Sequence, residues 1–274
     1  MRGTRRIFVL AGLSALVAVA APTARAQAPT VTSVIGSADG LFVDLAATGQ
    51  IDESLSFGPT PSVTLPPEGG VVTDSIANLE EFSQPSQLVV LTAALVETSA
   101  EGALGPDGFA TAETTVADLV LANVEVEAVG VLQELEEEDI LVAEAITATC
   151  SADLDGVSGS TTLVHAAALG GLFEGGIAFE EEPAPNTTVA LPSIDPPLAL
   201  TGAITLNRQV QNADGSLSVT ALVIDIELQL FDDEELVFSQ RLTVEIGPAT
   251  CGVVEGEEPP PAPQPVAAQP RFTG

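Results

Sequence analysis

The chain has no lysine, tyrosine or tryptophan, and it contains a single histidine among its 274 residues. Nucleic acids and anionic membranes are bound largely through Lys and Arg, so this composition excludes nucleic-acid binding. Carboxylates are plentiful enough for glycoside hydrolysis in principle, but sugar sites usually stack the ring on Trp or Tyr, and Lys, Tyr and all but one His are missing from the side chains used in catalysis. We therefore expect no enzymatic activity.

Positive charge is almost absent after residue 26. Only Arg208, Arg241 and Arg271 remain there against all 39 acidic residues, which gives a formal charge of −36. Such acidity favours solubility or tolerance of high salt, and the alternative interpretation is a specific cation-binding role. The hydrophobic fraction of 46 % is large enough to fill a core, so the acidity does not indicate disorder.

The N-terminus has the three parts of an export signal. Three arginines within the first six residues precede an apolar stretch at residues 7–21, and a small-x-small motif predicts cleavage between Ala26 and Gln27. The apolar stretch is shorter than the roughly 20 residues of a membrane-spanning helix. We expect an extracellular or cell-surface protein, exported by the Sec route rather than the twin-arginine route, with no transmembrane segment after residue 26.

Strand patterns dominate the rest of the chain. In residues 222–230 every second side chain is Leu or Ile, the positions between them include Asp225, Glu227 and Gln229, and Gly, Pro and Asp-Gly turns separate such runs. The prediction is an all-β, two-sheet β-sandwich, with a parallel β-solenoid as the alternative although no regular repeat of about 20 to 30 residues is present. Residues 76–82 are the one segment that could form a short helical turn.

The clearest predicted unit is a β-hairpin. Residues 217–231 and 237–246 should pair antiparallel around a five-residue acidic loop at 232–236. Burying both apolar faces requires Ile226 opposite Leu242, and a slip of one residue would turn every apolar side chain outward. The same register places Ile224 opposite Val244, Leu222 opposite Ile246, and Glu227 opposite Arg241 as a solvent-exposed ion pair.

Landmarks recur in the same order in two halves of the chain, about 56–150 and 160–251. Each half has an Asp-Gly turn, a long strand, an acidic turn and a strand that contains Ala-Thr-Cys. The sandwich is therefore predicted to consist of two diverged halves within one domain, residues 27–252. The acidic, proline-rich residues 253–274 are predicted to be a disordered tail.

The two cysteines, Cys150 and Cys251, end the matched Ala-Thr-Cys elements. An exported protein meets oxidising conditions, so we predict a disulfide between them. Two free thiols and a metal site are the alternatives, although the single His leaves zinc without a ligand set at the usual spacing.

His165 and the Asp153–Asp155 pair are the two remaining candidates for a chemical site. His165 lies in a strand-like apolar context without a nearby nucleophile, so we expect a structural or surface histidine. Asp153 and Asp155 alternate before Gly156 and are weak calcium candidates, because hard cations require several oxygen ligands and no complete calcium loop is present. We predict no cofactor, with calcium as the one exception considered.

Several sequence runs together resemble one protein family. These are PSVTLPPEGG at 61–70, SGSTTL at 158–163, PAPNTTVALP at 183–192 and the terminal Ala-Thr-Cys element. They resemble the choice-of-anchor P family of bacterial exported surface proteins, although we expect residues 253–274 to form a disordered segment where the family has its anchor. The resemblance implies a surface-associated protein whose partners are cell-envelope components or an extracellular ligand, and it implies no catalytic residues.

The expected function is therefore a non-catalytic structural or adhesive role at the cell surface. The alternative is a cation-dependent module that binds carbohydrate or a protein.

Overall fold

The computed structural model describes residues 29–49, 52–82, 89–123, 139–170, 176–192, 197–232 and 235–257. Within these ranges the protein is all-β and contains no helix, and two antiparallel sheets pack against each other. The predicted β-sandwich is thus confirmed. The solenoid alternative is wrong, because every strand pairing among the described residues is antiparallel.

Fourteen strands form the two sheets. In chain order they are β1 (Pro29–Gly49), β2 (Glu53–Thr64), β3 (Gly70–Phe82), β4 (Val89–Ala103), β5 (Phe109–Asn123), β6 (Asp139–Asp153), β7 (Gly156–Val164), β8 (Ala167–Ala168), β9 (Ile177–Ala178), β10 (Thr187–Val189), β11 (Leu198–Gln211), β12 (Leu217–Asp232), β13 (Glu235–Ile246) and β14 (Ala249–Glu257).

Sheet A contains β10, β11, β12, β13, β14, β1 and β2. Strands β13 and β14 lie end to end between β12 and β1, separated only by Gly247 and Pro248. The backbone N–H of Gly247 donates to Gly40 O at 2.9 Å, which keeps the two parts in line. Sheet B has the order β3–β4–β5–β6, and then β7, β8 and β9 complete its far edge.

The predicted hairpin is formed by β12 and β13. Ile226 lies opposite Leu242, and the other predicted apolar partners are also opposite each other, so the register is confirmed. The two strands pair as far as Asp232 and Glu235 after a register shift near Leu230. The connection is therefore shorter than the predicted five-residue loop, because the strands continue into the acidic segment.

The core lies between the inner faces of the two sheets. Ile224 and Val244 from sheet A, and Leu91 and Val116 from sheet B, are fully buried, as the period-two pattern requires. Some inward-facing positions carry a hydroxyl. Thr114 on β5 is one of them, and its Oγ1 donates to Asp39 O on β1 at 2.9 Å, which links the sheets and satisfies the buried group.

The predicted disulfide is present and joins the two sheets. Cys150 on β6 and Cys251 on β14 are bonded across the core, with their Cα atoms 5.7 Å apart at a sequence separation of 101. Both side chains are almost completely buried. The bridge therefore ties the third strand of one meander, β4–β5–β6, to the last strand of sheet A.

Other expectations fall at or beyond the edges of the described ranges. Residues 76–82 belong to β3 and are not helical, and residues 253–257 belong to β14, beyond the predicted end of the domain at 252. Ala26, Gln27 and the rest of the predicted export signal lie outside the described residues, as does the chain after 257. No helix in the described ranges is long and apolar enough to cross a membrane.

Candidate functional site: the outer face of sheet B

The solvent-facing side of sheet B is a regular array of short polar side chains. Five strands, β3 to β7, contribute three side chains each, and the strand registers align them in three rows. The rows are Val71, Glu101, Thr111, Ser151 and Ser158; then Thr73, Ser99, Glu113, Thr149 and Ser160; then Ser75, Glu97, Thr115, Thr147 and Thr162. We call these fifteen positions the outer face of sheet B.

Hydroxyl groups dominate this face. Of its fifteen side chains all but four are Ser or Thr, and the exceptions are Val71 and three glutamates. Neighbouring strands exchange hydroxyl contacts: Thr149 Oγ1 lies 2.8 Å from Ser160 Oγ, and Thr115 Oγ1 lies 3.3 Å from Thr147 Oγ1. Such cross-strand pairs stabilise the sheet and hold the hydroxyls at fixed spacing.

The face ends where the alternation of the strands shifts. Asp118 on β5 has a φ of 49°, and the two buried positions around it, Val116 and Leu119, are three residues apart instead of two. The next row across the sheet, at Ala77, Leu95, Ala117, Ala145 and Val164, is apolar. The polar array is therefore bounded on this side.

A shallow trough of about 620 Å³ crosses the first two rows. Glu101 and Glu113 stand in its walls on adjacent strands, and Ser158 and Ser160 line its far end on β7. The floor is the strand backbone, because the intervening residues such as Ala112 point into the core. The trough thus offers carboxylates at β4 and β5, and hydroxyls alone at β6 and β7.

The glutamates of this face have no partner within the described part of the chain. Glu97, Glu101 and Glu113 are exposed, and none makes a hydrogen bond or an ion pair with another described residue. Each lies directly opposite a hydroxyl-bearing residue across β4 and β5. Their charge is therefore available to a ligand.

The described basic groups are engaged elsewhere. On the outer side of sheet A, Arg208 Nη2 donates to Glu245 Oε1 at 3.4 Å, and Arg241 Nη2 donates to Asp225 Oδ1 at 3.3 Å. The second pair corrects the sequence prediction. Glu227 does lie opposite Arg241 in register, but Arg241 forms its ion pair with Asp225, two residues away on β12.

Glu227 is held by neutral donors instead. Gln229 Nε2 donates to Glu227 Oε1 at 2.7 Å, and Ser239 Oγ donates to the same oxygen at 2.9 Å. These two hydrogen bonds, with a smaller contribution from the charge of Arg241, lower the pKa of Glu227.

His165 lies at the surface, where β7 ends. Its φ is 47°, and its Nδ1 lies 2.6 Å from Glu144 Oε2, with the two side chains 76 % and 61 % exposed. The hydrogen bond to Glu144 and then the charge of that carboxylate raise the pKa of His165 above 6.5. The expected surface location is thus observed.

Replacing the carboxylate next to the histidine should shift its titration. In Glu144→Gln the charge and the charge-assisted hydrogen bond are lost, so the pKa of His165 should fall towards 6.5. In the native protein the pair adds stability below pH 6.5, and this stability is lost as the pH rises through the raised pKa. The ring proton signals of the sole histidine give both midpoints by NMR, and equal midpoints would contradict the assigned pair.

The calcium candidates take part in a turn. Asp153 Oδ1 accepts the backbone N–H groups of Asp155 at 2.8 Å and Gly156 at 3.2 Å, which closes the β6–β7 connection. Within the described ranges no group of three or more His, Cys, Asp or Glu side chains is arranged to hold a metal ion. The Asp153 carboxylate therefore stabilises the backbone of the β6–β7 turn.

Sequence reasoning did not identify the outer face of sheet B. A signal for it was present, since residues 147, 149 and 151 and residues 158, 160 and 162 are all Ser or Thr at alternate positions. Recognising one surface also required the relative registers of five strands, which no local pattern provides.

Compared with protein-family models, curated proteins and solved structures, the chain gave no match in any of the three searches.

Proposed function

We propose that this protein is a non-catalytic adhesive component of a cell surface and that it binds its ligand on the outer face of sheet B. The observation that carries this proposal is the array of eleven hydroxyls and three glutamates that have no partner among the described residues, with a trough across it. A face that only had to be soluble would not require hydroxyls in three aligned rows.

Two further observations support a location outside the cell. The core contains a disulfide, which persists in oxidising compartments. The chain also begins with the features of an export signal, and its resemblance to the choice-of-anchor P family points in the same direction. The family and the location remain predictions, and fractionating the producing cells into cytosol, envelope and medium would test the location.

A bulky substitution on the outer face of sheet B tests the proposed binding function directly. Ser151 is exposed in the first row of the array, where it lines the trough, and Ser151→Tyr places a bulky ring there without changing the charge. Tyrosine is well tolerated in exposed strands, so the fold should be retained. We expect the exported protein to sediment with isolated envelopes of the producing organism, and Ser151→Tyr to lower the bound fraction at least about fivefold, the size expected when about 1 kcal/mol of contact is lost.

The matched control is Thr48→Tyr. Thr48 is an exposed strand residue on the outer side of sheet A, opposite Ser239. This variant should sediment like the native protein. Equal loss in both variants, or no loss in Ser151→Tyr, would contradict a binding role for the outer face of sheet B. Loss of sedimentation in a chelator would instead favour the cation-dependent alternative.

A further inference from the structure

Strands β4 and β5 repeat one arrangement three times on the outer face of sheet B. In each of three successive rows a carboxylate lies directly opposite a hydroxyl: Glu101 opposite Thr111, Glu113 opposite Ser99, and Glu97 opposite Thr115. Successive rows are two residues apart, which corresponds to about 6.7 Å along a strand. The carboxylate is on β4 in the first and third rows and on β5 in the middle row, so the two strands present one carboxylate–hydroxyl pair at each of three evenly spaced rows.

No cation among the described residues neutralises the charge at these positions. The three carboxylates have no partner among the described residues, and Arg208, Arg241 and His165 are paired with other acids. An ammonium group has three N–H donors, so one ligand cation can contact both the carboxylate and the hydroxyl of a row. Charge complementarity therefore favours a ligand with several basic groups.

The spacing of the rows indicates that the ligand is an extended polypeptide. In an extended polypeptide the side chains of every second residue point to the same side, and their interval is the same two-residue rise of about 6.7 Å. Basic residues at consecutive positions would point alternately towards and away from the sheet. A carbohydrate is less well matched, because no aromatic side chain lines the trough for a sugar ring to stack on.

We propose that the β4–β5 part of this face binds an extended polypeptide segment with a basic residue at every second position. The inference rests on the proposed function, because it names the partner of the same face. Glu101 and Glu113 also line the trough. A segment that runs along β4 and β5 therefore crosses the trough at its acidic part and reaches the third position at Glu97.

Two peptides of equal composition test the spacing without any protein variant. Labelled Lys-Ser-Lys-Ser-Lys points three ammonium groups to one side, whereas Ser-Lys-Lys-Lys-Ser points only two. Fluorescence anisotropy with the exported protein at about 0.15 M salt should show roughly threefold tighter binding of the alternating peptide, the value of one exposed ion pair. Equal affinities would overturn the proposal, because attraction by the overall negative charge does not distinguish the two peptides.

Charge-matched variants locate the binding. The triple variant Glu97→Gln, Glu101→Gln and Glu113→Gln should weaken the alternating peptide about tenfold and remove the difference between the peptides. The control Asp44→Asn, Glu235→Gln and Glu255→Gln changes three exposed acids of sheet A by the same total charge and should preserve that difference. Equal weakening in both triple variants would overturn the proposal.

The outcomes separate this inference from the function on which it rests. If Ser151→Tyr abolishes envelope binding but the two peptides bind equally, the face binds a ligand of another kind. If Ser151→Tyr has no effect on envelope binding, the proposed function itself fails, whatever the peptides do.

Discussion

The double replacement Cys150→Ala with Cys251→Ala should lower the free energy of unfolding by about 4 to 5 kcal/mol. The bridge closes a loop of 101 residues, and restricting such a loop in the unfolded chain is worth about 4.7 kcal/mol in the chain-entropy model. Both sites are also buried in the core, where removing each sulfur atom leaves a small gap. The bridge is the protein's one covalent cross-link between distant segments, because the sequence contains no other cysteine.

Urea unfolding of the native and double-variant proteins, followed by circular dichroism, measures this loss. The native protein treated with a reductant is the control, and it should match the variant to within about 1 kcal/mol. A difference below about 1 kcal/mol between native and variant would mean that the bridge adds little to the sandwich.

The second large effect is expected in the middle of sheet A. Ile224 on β12 is fully buried opposite Val244. Ile224→Ala should lower the free energy of unfolding by about 3 to 4 kcal/mol, because apolar burial is lost and a cavity remains. The same substitution at the half-buried Ile35 on β1, Ile35→Ala, should lower the free energy of unfolding by about 1 kcal/mol. Thermal and urea unfolding of the two variants provide the comparison, and similar losses would contradict the assignment of Ile224 to the core face.

The hairpin shows how far sequence reasoning reaches. The register of β12 and β13 follows from the apolar alternation, because only one pairing buries both faces, and the structure has that pairing. The ion pair does not follow from register. Arg241 has a long, flexible side chain and reaches Asp225 diagonally, while neutral donors occupy Glu227.

The ends of the elements were less predictable than their centres. β12 and β13 extend into the acidic segment, and β14 continues to Glu257, because backbone pairing to a neighbouring strand overrides low local propensity. The disulfide was predictable, since an exported chain with two cysteines has one possible intramolecular bridge.

The candidate site was the least predictable feature. Its residues belong to five strands spread from Val71 to Thr162, and each strand alone resembles an ordinary half-exposed strand. Only the registers reveal that three glutamates fall in successive rows of one strand pair. The alignment of the three glutamates is therefore a property of the assembled sheet and not of any single strand.

The position of β13 and β14 has a consequence for the order in which the protein matures. These strands are the last to be synthesised within the described ranges, yet they lie between β12 and β1, and Pro29 pairs with Glu257. Until they arrive, one side of sheet A consists of β1 and β2 and the other of β10, β11 and β12, with no hydrogen bonds between them. The two parts of sheet A can therefore be joined only once residues 235–246 are available, so this sheet depends on pairing between the first strand and the last strands of the described chain.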